Sequence, residues 1–304
     1  MVYIGGSYME NKQRKACYWV DGVRYDLDGF EVASITAIDG KVYAAGHTII
    51  DGCGYWGGYP PISCLQTCYW ADGIRHYLPG SIVNGIFDIG DMSVDQGNVY
   101  ISGWESHDDK RCYWINGVRQ KLPSDGVMWN VYAANGVVYM VGHYFVDGII
   151  KACFWKNGIR YDLPGPKGFL AFKIRVINNT EYIIGYGHRF FKGYREKKRH
   201  DACYWINGNR LQKDIPSVPL ADSFAVSDGN VYIRGRKKGF FINGVYTHSK
   251  LPYAMIDDIC TYAFTVSQNK IYEVGSLFEK ACYWIDGVRY ELNGYRAGAI
   301  YVTE

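Results

Sequence analysis

Four histidines, a cluster of aromatic rings and two runs of cations are the side chains of this 304-residue sequence that could do chemistry. His47, His107, His143 and His188 fall at or just after the same strand phrase in four separate units, so their imidazoles could approach a common rim. Histidine titrates near neutral pH, which suits general acid–base catalysis. No Gly-x-Ser-x-Gly, His-Glu-x-x-His, phosphate-loop or dinucleotide pattern accompanies them. A histidine at a strand end more commonly anchors a loop by hydrogen bonding. Catalysis by a hydrolase or lyase at a central channel mouth is therefore the secondary expectation, and no cofactor is implied.

The stronger chemistry is binding. Tyr55, Trp56 and Tyr59 lie in an insertion from His47 to Gln66 that also carries several glycines and Pro60-Pro61. Exposed aromatic planes suit sugar rings, peptides or bases. Trp104 belongs with these candidates. Cys53, Cys64, Cys68 and His47 match no zinc spacing, so no metal is expected, while a Cys53–Cys64 bridge stays open. Residues 189–201 hold Arg189, Lys192, Arg195, Lys197, Lys198 and Arg199 against Glu196 and Asp201, a net of +4. Arg234, Arg236, Lys237 and Lys238 add another +4. The whole chain carries only +3, so positive charge is concentrated in these two runs. Such runs are commonly solvated loops; as a site they would take a glycan, an acidic protein surface or another anion, with nucleic acid the weaker candidate. Phe190, Phe191 and Tyr194 interleave with the cations, as stacking would require.

The elements that must position these residues are legible as a repeat. Seven times an apolar-aromatic strand meets Asp-Gly or Asn-Gly and a second strand, from Ala16-Cys17-Tyr18-Trp19-Val20-Asp21-Gly22 to Ala281-Cys282-Tyr283-Trp284-Ile285-Asp286-Gly287. A Val-Tyr phrase followed by Gly precedes each copy, starting near 2, 42, 99, 138, 181, 231 and 271. A strand repeat of roughly 40 residues predicts one all-β domain over 1–304, a seven-bladed propeller with four antiparallel strands, a to d, in each blade. In the second blade they are expected at Val32–Ile38, Val42–Ala45, Thr67–Ala71 and Ile74–Leu78. Asx-Gly at each c–d link predicts a type I′ hairpin and places Trp19 opposite Arg24, with the same pairing in five other units. Six such arginines suggest an anion ring, but the expectation is that each covers its Trp face within its own blade.

The chain opens on a b strand and closes on an a strand, so Ala297–Val302 should join Val2–Gly6 and complete the first blade. Cys17, Cys68, Cys112, Cys153, Cys203 and Cys282 share one repeat position, too far apart for bridges, and should be free buried thiols. Free thiols and a strand directly after Met1 favour the cytoplasm, an exported protein with a trimmed leader being the alternative. No apolar stretch is long enough to insert in a membrane.

The order of tight a–b hairpin, Val-Tyr plus Gly strand and c–d hairpin resembles kelch-type propellers, although the kelch double glycine stands only at Gly5-Gly6. The closer resemblance is to bacterial repeat proteins with Val-Tyr-x-x-Gly and Ala-Cys-Tyr-Trp-x-Asn-Gly units, and it carries no catalytic residue onto this chain. Kelch-like propellers mostly bind proteins or small ligands, which implies a monomeric, non-catalytic binding scaffold. Tight a–b and c–d links push length variation onto the b–c and d–a loops, so the ligand is expected on the face they share.

Overall fold

The c–d turns organise every sheet. Their first residues, all Asp or Asn, have φ between 47° and 51°, and the glycines that follow lie between 75° and 85°. This left-handed pair is the type I′ geometry whose twist matches the strands. The Asx side chain has a second use that turn chemistry alone does not reveal. Asp21 Oδ1 accepts the backbone N–H of Val2 at 2.8 Å, and Asn116, Asn157 and Asn243 do the same for Val99, Val138 and Val231 at 2.9 Å. Each of these turns thus clamps the start of strand b as well as joining c to d.

The computed structural model describes residues 1–50, 65–82, 89, 91–105, 110–122, 126–165, 167–188, 200–211, 215, 224–234, 239–248 and 259–303. They form seven four-stranded antiparallel sheets, each in the order a-b-c-d, and the fold is a seven-bladed β-propeller. The chain divides into two compact units, Met1–Gln120 with Lys250–Glu304, and Lys121–Ser249. The first unit holds four blades. One joins Arg296–Val302, Val2–Glu10, Gln13–Val20 and Val23–Asp26; the next runs Glu31–Ile38, Lys41–Ile49, Leu65–Ala71 and Ile74–Ile82. The other two span Asp91–Gln120 and Ile259–Glu291. The second unit holds the blades Val127–Asp162, Phe169–Arg210 and Phe224–His248. Among the described residues no helix is long and apolar enough to cross a membrane.

The C-terminal strand completes the first blade, Val2 lying opposite Val302 and Ile4 opposite Ile300. Strand b of this blade is longer than the Val2–Gly6 expected, because Asn11 and Lys12 form one more two-residue left-handed turn and let pairing continue to Glu10–Gln13. Strand a carries a bulge opposite the repeat glycine, at Val32/Ser34, Met128/Asn130 and Ala171/Lys173. The bulge swings a strand-a carbonyl against that glycine, so a Cβ on Gly46 or Gly142 would collide with the oxygen of Glu31 or Val127.

The expected pairing holds: Trp19 faces Arg24, Trp70 faces Arg75, Trp155 faces Arg160, and Phe241 faces Tyr246 in the divergent sixth blade. The expected stacking does not. All six repeat tryptophans are buried to within 1% of full burial, while Arg24, Arg75 and Arg160 lie over tyrosine rings. The indoles of Trp19, Trp70, Trp114, Trp155 and Trp205 instead slide beneath the d–a connection arriving from the preceding blade. Trp205 and Trp114 donate Nε1–H to the carbonyls of Pro164 and Pro79 at 2.8 and 3.2 Å. Trp19 packs under Gly294 and Trp70 under Gly29, where a Cβ would meet the ring. The arginines reach over the same connections, Arg24 Nη1 to Asn293 O at 3.3 Å and Arg75 Nη1 to Asp28 O at 2.9 Å. The guanidinium groups of Arg24, Arg75 and Arg160 lie over Tyr8, Tyr77 and Tyr144, at 4.1, 4.8 and 3.9 Å from the ring centres.

The six repeat cysteines are buried, unbridged thiols. Burial pushes Cys68, Cys112 and Cys153 up to about 12 and Cys282 to about 11, so the reactive thiolate is suppressed.

Substituting Gly294→Ala should cost ~2 kcal/mol or more, since the added methyl must displace the Trp19 ring in a packed core. Gly22→Ala, where nothing lies within 4 Å of the new Cβ, should cost only about 1 kcal/mol through its positive φ. Urea unfolding that gives both variants the same loss would refute the indole–glycine lock.

Candidate functional site

The residue after the repeat glycine lies in the last half of strand b, ahead of the b–c link, and two of the four histidines stand there, in Lys41–Ile49 and Val137–Val146. His47 and His143 are both buried. His143 Nδ1 accepts a hydrogen bond from Trp129 Nε1 at 3.0 Å, and Phe145 meets the imidazole edge-on at 5.3 Å. That imidazole is held as an acceptor inside an aromatic nest. His47 Nδ1 lies 3.4 Å from Glu31 Oε1, while its backbone carbonyl accepts Phe30 N–H at 2.7 Å. His107 lies outside the described residues, and of His188 only the backbone is described.

Glu31 opens strand a of the second blade and anchors a charged cluster that the motifs did not point to. Arg14, at the start of strand c in the first blade, donates from Nη2 to Glu31 Oε2 at 2.5 Å and from Nε to Ser7 Oγ at 2.8 Å. Its guanidinium is buried against the rings of Phe30 and Tyr295, with centroids 4.9 and 5.7 Å away. Burial would raise the Glu31 pKa, but His47 and the Arg14 and Arg296 cations outweigh it and hold the carboxyl at about 2. Glu31 is therefore a permanent anion near neutral pH. It cannot give up a proton as a general acid.

Arg14 also lines a cleft of about 460 Å³ between the first two blades, on the side of their b–c and d–a links. Tyr8 and Lys15 come from the first blade, Asp28 from the connection, and Thr48 and Arg75 from the second blade. Arg75 Nη1 is tied to Asp28 Oδ2 at 2.8 Å and to Thr48 Oγ1 at 3.2 Å, and Lys15 pairs with Glu10. The cleft is polar, rich in N–H donors, and fixed in place by the inter-blade contacts beneath it. Among the described residues no group of three His, Cys, Asp or Glu could hold a metal ion.

Tyr55, Trp56, Tyr59, Arg195, Lys197, Lys198, Arg199, Arg236, Lys237 and Lys238 lie outside the described residues, as do Cys53 and Cys64. Trp104 is described only as backbone, opposite Arg111 in the third blade. Arg14 and Glu31 escaped notice because neither belongs to the repeat phrase. Arg14 stands two residues ahead of the apolar-aromatic phrase that begins at Ala16, so the repeat carried no signal for it.

No protein-family model matches the chain, and no curated protein matches it. Solved structures do. Acylaminoacyl peptidase from Pyrococcus horikoshii aligns with a TM-score of 0.52 at 14% identity, over 97% of this chain and 50% of that one. The β-propeller domain of the trilobed protease from Pyrococcus furiosus, which has an open velcro topology, gives 0.44 at 12% identity over 86% and 83%. Trypanosoma rangeli sialidase gives 0.42 at 9% identity over 93% and 55%. At these identities the likeness is one of fold.

Because folding lowers the Glu31 pKa from 4.5 to about 2, its contribution to stability is complete above about pH 4.5 and drains away as the pH falls toward 2. Glu31→Gln should cost on the order of 3 kcal/mol at pH 7, and the gap to the parent protein should close between pH 4.5 and 2. Denaturant titrations that find the same gap at pH 7 and pH 2.5 would remove Glu31 from its role as counter-ion.

Proposed function

We propose that this protein is a monomeric, non-catalytic propeller scaffold, kelch-like in its use, that binds a polar or anionic partner at the b–c and d–a ends of its blades. The observation that carries this reading is the contrast between the two ends of the blades. Every described a–b and c–d link is a two-residue left-handed turn with little to offer a ligand. The opposite ends carry the variable connections, from two residues at Asn11-Lys12 to the long Ile49–Leu65 span, and the donor-lined cleft. Variable loops on a rigid scaffold are the usual place for recognition.

The candidate residues for a macromolecular or glycan partner are Tyr55, Trp56, Tyr59 and Trp104, together with the basic runs Arg195, Lys197, Lys198, Arg199 and Arg236, Lys237, Lys238. A hydrolase or lyase at a channel mouth remains the second reading, resting on His47, His107, His143 and His188. The burial of His47 and His143, and the lasting ionisation of Glu31 beside His47, weigh against it.

Retention on a heparin column at low salt tests the proposal. Elution should move to lower salt when Lys197, Lys198 and Arg199 are all reversed to Glu, with the melting temperature unchanged, because exposed charges contribute little to folding. A protein that is not retained at low salt, or a triple variant that elutes where the parent does, would take the basic run out of the binding surface.

A further inference from the structure

We infer that the cleft between the first and second blades is an oxyanion subsite, built to take a carboxylate, sulfate or phosphate group carried on a small polar molecule. The inference rests on the scaffold reading above and supplies it with a ligand class.

The argument begins with which guanidinium edges are already used. Arg14 spends Nε on Ser7 and Nη2 on Glu31, and Nη1 has no partner among the described residues. Arg75 makes its contacts to Asp28 and Thr48 through Nη1 alone, leaving Nε and Nη2 without a partner among those residues. Both arginines line the same cleft. Guanidinium groups have no acceptor capacity, so their free N–H bonds call for an acceptor-rich ligand, and a planar or tetrahedral oxyanion meets them with charge-assisted hydrogen bonds.

These donors are also held still before any ligand arrives. Arg14 is fixed on one side by two hydrogen bonds and packed against Phe30 and Tyr295. Arg75 is fixed by the carbonyl and carboxylate of Asp28 and rests over Tyr77 at 4.8 Å. A preordered fork loses little side-chain entropy on binding, which is the condition under which an exposed charge contact adds affinity. Asp28 is the acidic side chain among the lining residues, and Arg75 already engages it. A volume of about 460 Å³ exceeds what an inorganic ion needs and falls in the range of small-molecule sites.

The deciding experiment is isothermal titration of the intact protein with four probes: glucuronate, glucose 6-phosphate, inorganic sulfate and, as the neutral control, glucose. At least one oxyanion should bind tenfold or more tightly than glucose, and preference among the three identifies whether carboxylate, phosphate or sulfate is the natural group. Arg75→Gln and Arg14→Lys should each weaken that binding about tenfold, which corresponds to one charge-assisted hydrogen bond. Since Arg14→Lys could unfold the first blade, a second measurement uses the parent protein alone: the bound oxyanion should slow phenylglyoxal modification of Arg14 and Arg75, mapped by mass spectrometry, and spare no other arginine. Glucose binding as well as the oxyanions, or oxyanion binding that neither protects Arg14 and Arg75 nor changes in Arg75→Gln, overturns the subsite. Heparin retention that persists while all three small oxyanions fail to bind would overturn the subsite and leave the scaffold reading standing.

Discussion

The contact on which the rest of this structure depends is an indole wedged under a passing backbone. In blade after blade the strand-c tryptophan lies below the connection that arrives from the previous sheet, and the residue above it is a glycine, Gly294 over Trp19, Gly29 over Trp70 and Gly126 over Trp155. On its other side the ring meets the glycine of strand b, as Trp114 does at Gly103 and Trp205 at Gly185. A fully buried tryptophan is worth several kcal/mol, but here the placement matters more than the area. One side chain welds a strand to its own sheet and to its neighbour. Take the ring away and both glycines border a void.

Several features follow from that wedge. The bulge in strand a and the glycine opposite it keep the sheet close enough for the indole to span it. The repeat arginine is displaced from the ring it was expected to cover and finds its partners in the connection carbonyl and a nearby tyrosine. Where the arginine takes that carbonyl, as at Asn293 and Asp28, the indole N–H of Trp19 or Trp70 is left without a hydrogen bond; where a proline carbonyl is offered, the indole takes it. The two donors compete for one acceptor, and the cost of the losing donor is a measure of how firmly the packing fixes the ring.

The same rigidity shapes the candidate site. A cleft walled by two blades keeps its form only if the blades do not slide, and the locks at Trp19 and Trp70 sit on either side of it. Arg14 is buried at a cost that Glu31 and Ser7 offset, and the result is a donor held at a fixed height at the edge of solvent. The deep ionisation of Glu31 serves that arrangement: an anion that never neutralises near neutral pH keeps the guanidinium in place.

The sequence by itself determined the number of blades, the turn type, the strand register and the closure by the C-terminal strand, because each rests on local rules. Asx-Gly permits one turn, that turn permits one register, and a chain that starts on b and ends on a leaves one way to complete seven sheets. It also marked the six buried thiols, since a residue recurring at one strand position must share one environment. What the tertiary structure alone decided is what each side chain meets across the gap between sheets. The period of a repeat says that Trp19 and Arg24 face each other, and says nothing of Gly294, roughly 270 residues away, coming to lie on the ring. Glu31 and His47 face each other on strands a and b of one blade, but Arg14 comes from the blade before it, so the charged cluster awaited the packing of one blade on the next. Contacts within a blade obey a period that can be read from residue types. Contacts between blades depend on which atoms fill a three-dimensional gap, and no spacing along the chain encodes that.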